Sequence, residues 1–358
     1  MSAAGTMSRE VTRAWASAAV PPSSAAVAMV LEANGGDRLN VSFSSCQGRP
    51  AALEGEAAGL LAAVLDRLSP SLQALCAVEA GEVSSRLRRG SSETLLFSRR
   101  YRVASCRGMV LGCQDAGDTK PFASPWTGTL DPDEADSSLP VALAPSAVLA
   151  LVSYALEVTG SHLETGSDAE IPGITVLDTA SSPYPPQHHP FAGDGSPSPD
   201  RRLIDDGRWS NREEHAGDDV DPLFFLVTRP DRALRPLAAA TRFSRRNLAV
   251  TCSRTAPTPS PAAILVDSWR VRVGPRSGPV PFDAWLSLAG CDGERLAFSS
   301  SFTLKLDPWA ALAGIQGACG PVAPAVDEDP IEGDSYGSAP TLVTALTLAD
   351  LAGSGRSA

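Results

Sequence analysis

Residues 190–209 read PFAGDGSPSPDRRLIDDGRW, and the rest of the chain is best read outward from them. Pro190, Pro197 and Pro199 cannot donate to a strand ladder, so the first half reads as a loop. Asp194-Gly195 supplies a positive φ at low cost, as a tight turn requires. Arg201-Arg202-Leu203-Ile204, followed by Asp205-Asp206-Gly207, reads as a short apolar strand end closed by a second turn. Local chemistry therefore predicts two turns flanking a sheet edge, with Gly195 and Gly207 at positive φ.

At 358 residues the chain can hold two domains and a sizeable core. Its net charge of −11 argues against a general nucleic-acid binder, which would carry a basic face. Thirty glycines and 30 prolines imply many loops, while a 43% hydrophobic content implies a packed chain. The seven cysteines are Cys46, Cys76, Cys106, Cys113, Cys252, Cys291 and Cys319. Scattered, odd in number and without a Cys-x-x-Cys pair, they suit reduced cytosolic thiols better than a disulfide framework or a zinc knuckle. Arg9 and Arg13 precede an apolar stretch that Pro21 and Pro22 interrupt, so no signal peptide is expected. The longest apolar run, residues 140–158, is short for a membrane span and has Pro145 near its start. A buried helix is the expectation there.

Residues 1–38 are Ala/Ser-rich and weakly patterned, with an element beginning at 27–32 and ended by Asn34-Gly35-Gly36. A short strand is expected at 39–44. Leu53, Ala57, Leu60, Leu61, Val64 and Leu68 have helical spacing over 51–68, and Pro70 follows. Residues 83–87, 93–98 and 100–105 alternate as strands do. Arg86, Arg88, Arg89, Arg99, Arg100 and Arg102, in and beside them, make this the one locally basic region. It reads as the solvated face of a sheet; a groove for an acidic peptide or partner subunit is the alternative. Residues 115–138 form a polar connector and the expected domain boundary.

A strand is expected at 139–144. Ser146 is the candidate cap of a helix over 147–158, with Val148, Leu149, Val152 and Leu156 on one face and Gly160 as its end. Further strands are expected at 174–178, 248–252, 264–273, 296–306 and 342–348, and a short helix at 235–240. His188-His189 lie in a Pro-rich loop, and His215 in an acidic stretch. The expected class is α+β: a small α/β N-terminal domain over 1–120, then a larger β-rich, barrel- or sandwich-like domain over 139–358.

The block Pro-Phe-x-Gly-acidic-Gly, a spacer, Arg-Arg, two aliphatics, an acidic pair and Gly resembles the C-terminal domain of the TldD/PmbA proteins. Other pieces occur in that family's order. Leu143-Ala144-Pro145-Ser146-Ala147 looks like its strand-to-helix junction, and Ile174-Thr175-Val176-Leu177-Asp178 like the strand before the block. Asp307-Pro308-Trp309-Ala310-Ala311-Leu312, followed by Ile315, looks like its short helical segment. Ala339-Pro340-Thr341-Leu342-Val343, with Leu346-Thr347-Leu348-Ala349, looks like its final Pro-containing strand. The first 120 residues match poorly and are read as a shortened N-terminal domain.

TldD-type members resemble metallopeptidases with a His-Glu-x-x-x-His helix, in which two imidazoles hold Zn²⁺ and the Glu acts as base. Here the matching segment is Leu156-Glu157-Val158-Thr159-Gly160-Ser161-His162. Glu157 matches the Glu. Leu156 and Ser161 stand where the histidines would be, and His162 is one position off. Leucine offers no ligand atom, and a neutral hydroxyl is a poor one. Cys319, in Gly317-Ala318-Cys319-Gly320, resembles the Gly-x-Cys-Gly segment that supplies a further metal ligand in TldD-type members. Without two histidines one thiolate makes a poor site, so a structural role is expected. No Gly-x-Ser-x-Gly motif and no phosphate-binding glycine loop is visible.

The resemblance implies a PmbA/TldE-like subunit of a heteromeric, cytoplasmic metallopeptidase acting on small or unfolded peptides. Such a chain would have no catalytic set and no cofactor of its own; zinc would reside in a TldD-like partner. Neither nucleic acid nor membrane is implied. The alternatives are a peptide-binding scaffold without a partner and an active metallopeptidase using His162, Cys319 and a loop histidine.

Overall fold

The computed structural model describes residues 7–19, 23–34, 38–43, 49–68, 76–89, 91–106, 109–115, 138–162, 171, 173–179, 200–209, 248–256, 262–271, 280–290, 295–298, 302–306, 308–329 and 333–347. Two sheets carry most of them. The first is formed by β1 (Met7–Ala19), β2 (Ser23–Asn34), β3 (Arg38–Phe43), β4 (Cys76–Arg89), β5 (Ser92–Cys106) and β6 (Met109–Asp115), in the order β3-β2-β1-β4-β5-β6. All its pairings are antiparallel. Helix α1 (Arg49–Leu65) crosses one face. Leu53, Ala57, Leu60 and Val64 recur at three- and four-residue steps, and all are buried. They pack with Leu68 against Ala14, Ala16, Val78, Ala80 and Ala104.

Two expectations for this half change. Residues 7–34 form two long strands where only one element was expected. Alanine and serine give little period-two signal, and the ladder to β4 supplies the order that the pattern lacks. The three short strands expected between 83 and 105 are parts of two long ones, β4 and β5, joined across a tight reversal.

The second sheet has 11 strands. Its members are β7 (Pro140–Leu143), β8 (Ile174–Asp178), β9 (Arg201–Asp205), β10 (Arg208–Trp209), β11 (Leu248–Cys252), β12 (Ala262–Val271), β13 (Val280–Gly290), β14 (Arg295–Phe298), β15 (Phe302–Leu306), β16 (Ile315–Asp329) and β17 (Gly333–Thr347). The order is β10-β9-β8-β11-β17-β7-β12-β13-β14, with β15 on β13 and β16 on β17. The β-rich α+β class holds. Among the described residues the sheet is open, because its end strands β10 and β14 do not pair, so the barrel expectation gives way to an open sheet. Residues 296–306, expected as one strand, form two, and both pair with β13.

Two helices belong to this sheet: α2 (Pro145–His162) and α3 (Pro308–Ala313). Strands β7, β12 and β17 alternate between two buried faces. Val141, Leu143, Ile264, Val266 and Leu342 point to the face that α2 covers. Ala142, Leu265 and Val343 point to the other. This double burial explains the continuous apolar runs in these strands.

The expected helix over 147–158 begins earlier and ends later. Pro145 takes the first helical position, where its missing N–H costs nothing, and the Val148 N–H donates to the Ala144 carbonyl at 2.9 Å. Ser146 therefore lies inside the first turn and is not the cap. Gly160 does not end the helix; a glycine inside a helix costs only about 1 kcal/mol against alanine.

Candidate functional site

The segment that opens the argument closes as expected where it is described. Asp205 pairs with Arg208 and Ile204 with Trp209, which leaves Asp206-Gly207 as a two-residue turn. Asp206 has φ 46° and Gly207 φ 87°, the pattern of a type I′ hairpin. The turn is anchored to β8. The Gly207 N–H donates to the Ile174 carbonyl at 2.7 Å, and the Asp206 N–H to Thr175 Oγ1 at 3.1 Å. Gly195, His188, His189 and His215 lie outside the described residues.

Helix α2 carries Leu156, Glu157, Ser161 and His162, the residues that the sequence resemblance singles out. Its N-terminal half is held by aromatic contacts. The Trp269 indole donates to the Ala147 carbonyl at 2.6 Å, with both groups buried. Trp269 also lies against Phe282, ring centroids 5.2 Å apart, and Tyr154 meets Phe282 edge-on at 6.0 Å. From there the helix runs unbroken through Leu156, Glu157, Ser161 and His162. All four thus share one helix. Leu156 falls two turns after Leu149, whose side chain is fully buried. On the sequence resemblance Leu156 and Ser161 stand where two imidazoles would be, and one leucine with one neutral hydroxyl is a donor set that does not fit zinc.

Cys319 lies elsewhere. It pairs with Thr341 on β17 and packs with Ala142, Ala144, Ala256, Leu265 and Val343. Those residues line the face of the sheet away from α2, so Cys319 does not join the helix's buried residues. Burial pushes its thiol pKa up, which makes the thiolate scarcer.

The Gly-Ala-Cys-Gly segment has a structural reason of its own. A Cβ on Gly317 would lie 2.6 Å from the Ala256 backbone nitrogen, because the Ala318 N–H donates to the Arg254 carbonyl and the Ala256 N–H to the Ala318 carbonyl. Gly320 has φ 98° and opens a bulge before Ala323.

The basic region on β4 and β5 is largely paired. Arg86 and Arg88 both reach Glu93 at 3.1 Å, and Arg100 reaches Glu56 of α1 at 3.0 Å. These arginines are exposed, in keeping with a solvated sheet face. Sequence reasoning passed over Asp267. It is the extra residue of the β12 bulge between Val266 and Ser268, and it is almost fully buried although it is a carboxylic side chain. The signal available was a lone Asp inside the apolar run 262–271. Bulges of this kind re-aim a side chain. Asp267 lies one residue from Val266, whose carbonyl accepts from Ala144 at the start of α2.

No known family's sequence profile matches the chain, and no curated protein matches it in sequence. Solved structures do match in shape. TldE from Thermococcus kodakarensis superposes with a TM-score of 0.54 at 12% identity, over 95% of this chain and 94% of that one. This chain has a TldE-like fold. A protein of Thermotoga maritima MSB8, described as a candidate modulator of a DNA gyrase, matches with a TM-score of 0.50 at 11% identity, over 95% and 94% of the two chains. The TldE-like fold thus extends over nearly the whole chain, including the first sheet, where sequence resemblance was poor. No helix among the described residues is long and apolar enough to cross a membrane.

Proposed function

We propose that this chain is a PmbA/TldE-like member of the TldD/PmbA family, the non-catalytic subunit of a heteromeric metallopeptidase acting on small or unfolded peptides. One observation carries the reading. The fold is TldE-like and α2 runs unbroken through His162, and on the sequence resemblance Leu156 and Ser161 stand where two imidazoles would be. In this reading residues 1–120 are a shortened N-terminal domain, and 139–358 are the domain that carries the degenerate motif. The zinc and the general base belong to a TldD-like partner in the cytoplasm. This chain closes the peptide chamber and holds an extended substrate by its backbone at a strand edge. Among the described residues β3 and β10 stand at the ends of their sheets, as that kind of pairing requires.

The packing of Cys319 on the face away from α2 favours this reading over an atypical zinc site built from His162, Cys319 and a loop histidine. A peptide-binding scaffold without a partner differs in one measurable way: it does not associate with a TldD-like protein. Co-expression with a TldD-like protein from the same genome, followed by mass measurement in solution, tests the point. A stable complex of the two chains is expected. Two separate species would refute the partnership.

A further inference from the structure

Cys76 and Cys106 face each other directly across β4 and β5. Both are fully buried, both are thiols, and both lie on the α1 side of the first sheet. Opposed Cα atoms of an antiparallel pair are about 4.5 or 5.5 Å apart, depending on whether the pair exchanges backbone hydrogen bonds. Either spacing lies within the roughly 4.4–6.8 Å that a disulfide spans.

The shorter spacing applies here. Cys106 also pairs with Met109 of β6, and only Arg107 and Gly108 separate them. Residues flanking a two-residue hairpin exchange backbone hydrogen bonds, and a strand residue aims its N–H and C=O at the same neighbour. Cys106 therefore bonds towards β6. Its pairing with Cys76 is the non-hydrogen-bonded kind, in which side chains approach most closely.

We propose that Cys76 and Cys106 are a redox-active pair that closes to a cross-strand disulfide on exposure to a disulfide oxidant such as glutathione disulfide. One thiolate attacks glutathione disulfide and releases one glutathione. The second thiolate attacks the mixed disulfide at the protein sulfur and releases the other. The two cysteines lose two electrons and two protons, and the glutathione couple gains both as two thiols. Excess glutathione runs the exchange backwards.

Access follows from position. Cys76 is the first residue of β4 and Cys106 the last of β5, so both occupy a strand end, where local opening is least costly. Burial raises the Cys76 thiol to about 11, so the attacking thiolate comes from the opened end and not from the closed core. Once formed, the bond ties β4 to β5 within the buried cluster that they share with α1. The redox state of the surroundings then sets how firmly the α1 face of the first sheet is held.

The test uses the full chain in glutathione buffers of increasing oxidised-to-reduced ratio. Remaining thiols are alkylated, and tryptic peptides are mapped by mass. Cleavage at Arg86 and Arg102 puts the two cysteines in separate peptides with no other cysteine. A linked Cys76–Cys106 peptide is expected to appear as the ratio rises and to vanish on return to excess glutathione. The thermal midpoint should rise by several degrees in parallel, and Cys106→Ser should lose that response. Should the variant fail to fold, the map of the unaltered chain decides alone. Alkylation of both cysteines at every ratio, or linkage of either one to another cysteine, would overturn the proposal.

Discussion

Gly337 joins the central sheet to the motif helix, and Gly337→Ala is the sharpest test of that packing. Gly337 pairs with Leu248 where β17 runs parallel to β11. An added Cβ would lie 2.2 Å from the Leu248 carbonyl oxygen and 2.9 Å from Leu149 Cδ1. Ordinary contacts of this kind begin near about 3.5 Å, so something must move by roughly 1 Å or more. The oxygen belongs to a ladder backbone, and Leu149 is fully buried in α2, so neither can swing clear. The expected loss lies at or above the top of the usual range of about 1–3 kcal/mol for overpacking. Urea unfolding followed by circular dichroism reads it as a lower midpoint at unchanged slope. Gly59→Ala is the matched control: Gly59 is exposed on α1 with nothing within 4 Å, and alanine there should stabilise by up to about 1 kcal/mol. A Gly337→Ala midpoint equal to that of the unaltered chain would show that β17 and β11 do not approach as described.

Three other outcomes are expected. Gly207→Ala should cost about 1 kcal/mol, because alanine resists the φ of 87°; an unchanged melting temperature would remove the type I′ turn. Trp269→Phe removes the indole donor from the buried Ala147 carbonyl and should lower stability by about 1–3 kcal/mol, whereas a neutral result would mean that the hydrogen bond does not hold the start of α2. Leu156→His with Ser161→His should not yield stoichiometric, chelator-resistant zinc, since the groups that orient metal-bound imidazoles are not expected to have been kept. About one tightly held zinc per chain in elemental analysis would contradict that.

Local chemistry made much of the second half legible. Short apolar runs marked β7, β8, β11 and β12 within one or two residues. Asp206-Gly207 announced its turn, because few other dipeptides accept two positive φ angles in succession. Other features were hidden for physical reasons. In β1 and β2 alanine and serine suit either face of a sheet, so no alternation shows, and pairing decides the structure. Strand β16 contains Gly317, Gly320, Pro321 and Pro324, which argue against a strand until its bulge and its close approach to Ala256 are seen. Gly160 signalled a helix end, yet α2 continues through it to His162. Leu156, Glu157, Ser161 and His162 were legible as residues, but only the fold shows that one helix persists through them. The facing of Cys76 and Cys106 could not be read at all, since register between distant residues leaves no local mark.

The central claim is that this chain is the metal-free half of a two-chain peptidase. Chelator-sensitive hydrolysis of a mixture of short unstructured peptides should be compared for this chain alone, a TldD-like partner alone and the two together. The account predicts no cleavage by this chain, full cleavage by the complex, and loss of all cleavage when the partner's His-Glu-x-x-x-His is mutated. Chelator-sensitive cleavage by this chain alone would contradict it.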